Sequence, residues 1–264
     1  MSYGIAIWNF VEEGIRLPDL MDDFQGFGFD TISFSAWQLL RVPEEGREAA
    51  QALQELGLRA TVHASFDLTG DDARRISDLL GPDLLTLTFD AAMSEESRGR
   101  FFDAARMVKL LVEVGVILEP IGTRYGVEDF PLDALALDYY RDDLAPLLER
   151  PGYGMLVDLG HLNMRVTAQP YFHRLGVAEY ILGLPLPILE VHVHDNHGDR
   201  DSHAHLGFGS GDFETMAAAL RDKGFAGVST IEIAPTFHGS TPAEDRPRAQ
   251  ESLKLWRNLL EAKP

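Results

Sequence analysis

Five of the nine histidines in this chain fall within fourteen residues, in the run His192-Val-His-Asp-Asn-His-Gly-Asp-Arg-Asp-Ser-His-Ala-His205. The first half alternates like a strand and the second half is a short polar loop. Strand geometry sends residues i and i+2 to one face. His192 and His194 therefore project one way, and Val191 and Val193 the other. Imidazoles and carboxylates are the ligands that borderline divalent metals take. The loop adds Asp195, Asp199, Asp201, His203 and His205. The alternative is a solvated polar loop that is merely rich in histidine. So many histidines and aspartates beside an apolar strand favour a metal site.

The elements that must position these residues recur at intervals of about thirty residues, as apolar alternating runs separated by helical patterns. The expected strands are Gly4–Trp8, Thr31–Ser35, Arg59–Ser65, Leu84–Asp90, Val116–Ile121, Gly154–Leu159, Ile188–Asp195 and Val228–Ala234. Pro43–Leu56 and Glu95–Val114 are the clearest helical patterns between them. Eight β-α units in this length predict a (β/α)8 TIM barrel, an α/β fold, as a single domain over residues 1–264. A doubly wound sheet would alternate in the same way, usually with fewer strands. In a barrel, apolar residues face the helices and polar ones can take the inward register. Thr61, His63, Thr86, Thr88, Glu119, Asp158, Thr230 and Glu232 are assigned inward on that basis. The ionisable ones come late in their strands, at the carboxyl-terminal mouth where barrel enzymes keep their sites.

Composition narrows the partners. The formal charge is −19, with 42 acidic residues against 23 basic. Such a field disfavours nucleic acid as a partner. With no cysteine, disulfides, cysteine-ligated zinc and iron–sulfur clusters are excluded, and a reducing cytoplasm fits. The opening Met-Ser-Tyr-Gly-Ile-Ala-Ile-Trp does not read as a signal peptide, and no segment reads as a membrane span. The lysines, Lys109, Lys223, Lys254 and Lys263, fall in helical patterns or the tail, which argues against a Schiff base. A homo-oligomer is compatible with all of this.

Glu119, Asp158, His192 and Glu232 come from consecutive expected strands. Three converging carboxylates without a lysine would repel one another, and a divalent cation removes that cost. His63, His161, Asp201 and His203 surround them and could hold a second ion or contact substrate. His194, Arg124 and Trp8 are further substrate-binding candidates. Arg124 and Arg165 could meet a phosphate or carboxylate, although ordinary surface arginine is the commoner reading. Trp8, Trp37, Phe66 and Phe208 could wall a sugar face or simply close the barrel top. Backbone amides of Gly207–Gly211, or Ser240 and Thr241, could receive a phosphate, since barrels often use these loops so.

The segments Leu118-Glu-Pro120, Asp158-Leu-Gly-His161, Val191-His-Val-His-Asp-Asn196, Asp201-Ser-His203, Leu206-Gly-Phe-Gly209 and Thr230-Ile-Glu232 carry a resemblance. The chain resembles the xylose-isomerase-like TIM-barrel superfamily. That superfamily includes sugar and sugar-phosphate isomerases and epimerases, inosose-processing enzymes and type-IV apurinic endonucleases. The resemblance implies that Glu119, Asp158, His192 and Glu232 bind one divalent metal. It implies that His63, His161, Asp201 and His203 stand where the endonucleases bind additional zinc. Three departures qualify it. Phe89-Asp90 stands where the endonucleases carry a histidine. Gly207-Phe-Gly209 lacks a carboxylate that many relatives have. Ile121 replaces a lysine that assists hydride transfer in true xylose isomerases.

The expected activity is therefore a metal-dependent isomerase or epimerase acting on a sugar, sugar phosphate or polyol derivative. The cofactor would be Mn, Co, Mg or Zn, polarising a carbonyl and stabilising an enediolate. Glu119 and Glu232 would exchange protons with the neighbouring carbon. The alternatives are a multinuclear-zinc phosphoesterase of the endonuclease kind and an inosose-type dehydratase.

Overall fold

A computed structural model describes residues 1–65, 68–90, 124–128 and 153–262. Eight parallel strands close into a barrel in sequence order: β1 (Ser2–Ala6), β2 (Thr31–Ser35), β3 (Arg59–Ser65), β4 (Leu84–Asp90), β5 (Arg124–Glu128), β6 (Tyr153–Asp158), β7 (Ile188–Val193) and β8 (Val228–Ile231). β8 returns to β1 through the register Ser2↔Val228 to Ile5↔Ile231, so the barrel has no free edge.

The described helices are α1 (Leu17–Gly26), α2 (Ala36–Leu40), α3 (Pro43–Glu55), α4 (Gly70–Leu80), α5 (Leu159–Ala168), α6 (Pro170–Gly183), α7 (Phe213–Asp222) and α8 (Pro242–Leu260). Their starts are written locally. Thr69 and Thr241 each form a reciprocal capping box, with Asp72 and Glu244 respectively. α1, α3 and α6 have proline in their first turn, where a missing N–H costs nothing.

The apolar core lies between sheet and helices. Ile5, Phe34, Val62, Leu87, Val157, Val191 and Ile231 face outward from strands and are all buried. Trp256 of α8 packs edge-on against Phe213 of α7, and Phe10, Phe24 and Phe29 form a T-shaped cluster under α1.

The barrel axis is polar at one level. Glu190 of β7 accepts hydrogen bonds from Thr61 (3.1 Å), Thr86 (2.7 Å) and Thr230 (2.6 Å), which reach inward from β3, β4 and β8. These contacts place the three threonines in the inward register expected for them.

Two expectations about the elements change. The fifth position of the barrel is taken by Arg124–Glu128, which pairs with β4 and β6. Residues 116–121 and the helical pattern Glu95–Val114 lie outside the described residues. β7 and β8 are also shorter than expected, so His194 and Glu232 stand just past their strands.

Candidate metal centre

Asp158, the last residue of β6, is fully buried and caps α5, accepting the backbone N–H of His161 at 2.8 Å. His192 sits beside it in register on β7 (Asp158↔His192). Glu232 follows β8, held there because its N–H donates to the carbonyl of Val193. Parallel strands in register therefore deliver all three side chains to one level. His192 Nδ1 lies 2.8 Å from Glu232 Oε2 and 3.9 Å from Asp158 Oδ2. The 2.8 Å approach lacks hydrogen-bond alignment, and both ring nitrogens are buried without a hydrogen bond among the described residues. A buried imidazole between two buried carboxylates, with neither ring nitrogen hydrogen-bonded, fits a divalent cation. Asp158, His192 and Glu232 offer donor atoms within 4.8 Å of one another.

A second group adjoins the first through Asp158. His194 Nε2 approaches Asp158 Oδ1 at 2.9 Å and Asp201 Oδ1 at 3.8 Å. Asp201 Oδ2 also meets His161 Nε2 (3.2 Å) and His203 Nε2 (3.0 Å). The rings of His194 and His203 stack with centroids 3.9 Å apart. His203 Nδ1 faces the carbonyl of Glu232 at 3.2 Å, an acceptor to which it donates, and Nε2 is turned toward Asp201. His203 holds φ at 41°, a left-handed conformation that imidazole-bearing residues adopt only at a cost. His161, His194, Asp201 and His203 form a four-member donor group of the same span. His194, expected to meet substrate, is thus placed in this group. His63 is not: it lies by His192 (ring centroids 5.2 Å) and stacks on Trp8 (5.7 Å).

The electrostatics follow from burial and pairing. Burial opposes charge on Glu232, but the neighbouring His192 and His203 outweigh it and hold its pKa below the usual carboxylate range. Asp158 and Asp201 are lowered for the same reason: burial raises them, and His161, with His194 or His203, reverses it. Burial disfavours the imidazolium of His203, yet Glu232 and Asp201 raise its pKa to about 9.

The glycine-rich loop does something other than bind phosphate. Asp195 accepts hydrogen bonds from the backbone N–H groups of Gly207 (3.1 Å), Gly209 (2.8 Å) and Gly211 (3.1 Å). Those amides are committed to an internal carboxylate. Ser240 and Thr241 are likewise engaged, with Asp245 and with the cap of α8. Arg165 is fully buried, donates to the Tyr180 hydroxyl at 2.6 Å and lies 4.3 Å over Phe172, so it is neither a surface arginine nor a ligand-facing one. The interior of α5 and α6 is where the helical pattern directs it. Glu119 and Phe66 lie outside the described residues, and of Arg124 only the backbone, in β5, is described. Trp37 is largely exposed, and Phe208 contacts His197, His205 and His238.

Residues 103–259, more than half of the chain, match the sequence profile of the family described as xylose isomerase-like TIM barrel. The chain belongs to that family. An uncharacterised protein of Methanocaldococcus jannaschii is 26% identical over 125 residues, which span 46% of this chain and 41% of that protein. Two solved structures illustrate the shared fold. A D-allulose 3-epimerase from Methylomonas sp. superposes with a TM-score of 0.71 at 17% identity, covering 98% of each chain. The IolI protein with a bound zinc atom gives a TM-score of 0.70 at 16% identity, covering 99% of this chain and 100% of that one.

Within this xylose isomerase-like barrel, two contributors escaped the sequence reading. Glu190 shares the inward face of β7 with His192, and its Oε1 lies 3.7 Å from His192 Nε2. Burial would neutralise Glu190, but His192 and the hydroxyls of Thr230 and Thr86 keep its pKa low. The i, i+2 alternation that singled out His192 and His194 extends back to Glu190 and could have found it. Gly160 is the other: a Cβ there would fall 2.0 Å from His194 Cε1. No local pattern announces that requirement.

Proposed function

We propose that this protein is a divalent-metal-dependent epimerase or isomerase of a small keto-sugar or polyol ketone. The observation that carries the reading is the Asp158–His192–Glu232 cluster at the barrel mouth, buried and with the imidazole nitrogens of His192 unspent. Glu119 is proposed to complete the ligand set. Neighbours in fold that act on sugars support it, the D-allulose 3-epimerase among them. The bound ion, Mn, Co, Mg or Zn, would act as a Lewis acid on the substrate carbonyl.

The chain's own groups supply the proton chemistry. A carboxylate oxygen of Glu232 takes the proton from the carbon beside the carbonyl, and the C–H electron pair moves toward the carbonyl oxygen. Glu119 returns a proton to the opposite face of that carbon, which inverts the centre; delivery of the proton to the former carbonyl carbon, with the neighbouring hydroxyl giving its proton to the former carbonyl oxygen, moves the carbonyl instead. His161, His194 and His203 orient hydroxyls. Trp8, beside His63 and His192, offers an apolar wall for the C–H face of a sugar.

The test is solvent exchange. Metal-loaded protein should wash deuterium from D2O into the position next to the carbonyl of one member of a ketose panel, and Glu232→Gln should abolish it. Normal exchange in Glu232→Gln would sink the mechanism. The adjoining His161–His194–Asp201–His203 group favours a second reading, a phosphoesterase with clustered metals. Phosphoester hydrolysis without any ketose exchange would select it.

A further inference from the structure

A third set of donors lies away from the barrel axis. His205 belongs to the loop after β7, His238 to the turn after β8, and Asp245 to the first turn of α8. Their ligand atoms all lie within 4.8 Å of one another, and His238 Nε2 is 2.8 Å from Asp245 Oδ2. His205 Nδ1, His238 Nε2 and Asp245 Oδ2 are each buried without a hydrogen bond among the described residues. The side chains of His238 and Asp245 are 3% and 0% exposed.

The surroundings fix how these groups present themselves. His238 Nδ1 faces the carbonyl of Ser202 at 3.2 Å, and a carbonyl can only accept, so Nδ1 carries the proton. In the neutral ring, Nε2 then turns its lone pair toward a carboxylate oxygen, which repels it. Asp245 Oδ1 is already held by Arg248 (2.7 Å) and Ser240 (3.1 Å), which leaves Oδ2 facing the histidine. An imidazole oriented by a backbone carbonyl and a carboxylate oriented by its own donors are how metal ligands are usually braced. Phe208 shields the spot, its ring 5.8 Å from that of His205 and 5.9 Å from that of His238.

From this we infer a second kind of metal site: a His205–His238–Asp245 centre of the zinc class, three protein ligands with the fourth position left to water. Two imidazoles and a carboxylate, without thiolates, suit zinc. The ion would tie the loop after β7 to the turn after β8 and to the start of α8. That loop carries Asp201 and His203, so the centre would pin the second donor group at the mouth from behind.

The experiment compares wild type, His205→Ala, His238→Ala and His192→Ala after loading with zinc and gel filtration. Elemental analysis and titration against a competing chelator count the ions, circular dichroism checks the fold, and melting is followed with and without chelator. His205→Ala and His238→Ala should each hold about one zinc ion per chain fewer than wild type and lose less stability on chelation. If His238→Ala fails to fold, His205→Ala decides, since that side chain is only half-buried. Zinc content and chelator sensitivity equal to wild type in His205→Ala would overturn the inference. His192→Ala tests the central cluster separately: unchanged zinc there would count against the proposed function and leave this centre standing.

Discussion

Gly160 lacks a side chain because His194 occupies the space, its ring within 2.5 Å of where a Cβ would stand. Alanine there must displace His194 from Asp158. We expect Gly160→Ala to fold with a loss of roughly 2–3 kcal/mol and to weaken metal binding, measured by denaturant melts and calorimetric titration. Unchanged binding would show that the His194–Asp158 contact does not matter to the ion. Glu190 makes the opposite kind of demand. Replacing it by alanine would orphan three buried hydroxyls and open a cavity, so Glu190→Ala should cost about 3 kcal/mol or more in a urea melt. Glu232 belongs to the chemistry: Glu232→Gln should lower turnover by about 10²-fold or more.

At the scale of elements, the site depends on loops that are packed as firmly as strands. Asp195 gathers the amides of Gly207, Gly209 and Gly211, and its backbone forms a bridge with Ala204 in both directions. The stretch between, which carries Asp201 and His203, is thereby closed into a ring. A Cβ at Gly209 would fall 2.0 Å from the carbonyl oxygen of Asn196. Gly209→Ala should therefore open this ring, costing about 2–4 kcal/mol and raising amide exchange across 195–211. Exchange confined to the mutated residue would show that the ring does not move as one unit. The fifth strand teaches a related lesson. Alternation did not mark 124–128, yet Arg124–Glu128 is the strand that pairs with β4 on one side and β6 on the other.

For the whole molecule, −19 of formal charge surrounds a mouth lined with carboxylates. Such a field draws cations inward and is partly relieved when they bind. Among the described residues no helix is long and apolar enough to cross a membrane. A divalent ion at a hundred times its Kd adds about 2.7 kcal/mol of stability by mass action. For a chain of this size that is a rise of roughly 5–10 °C in melting temperature, reversed by chelator. No rise with Mn, Co, Mg or Zn would remove the metal from the proposed function.

Periodicity in the sequence was enough for the barrel, for the inward threonines and for the common level of Asp158, His192 and Glu232 at its mouth. That works because a parallel strand has a two-residue period and a barrel has one carboxyl-terminal mouth. Only the tertiary structure decided how donors divide among ions. It moved His194 into the group with Asp201 and left His63 beside Trp8. It turned Arg165 inward, spent the glycine amides on Asp195, and brought His205, His238 and Asp245 together. Those outcomes depend on contacts between different elements and loops, such as His205 with His238 and Asp245, or on crowding such as His194 against Gly160. Local pattern carries no record of either, because distance across a closed barrel is set by every strand and loop at once.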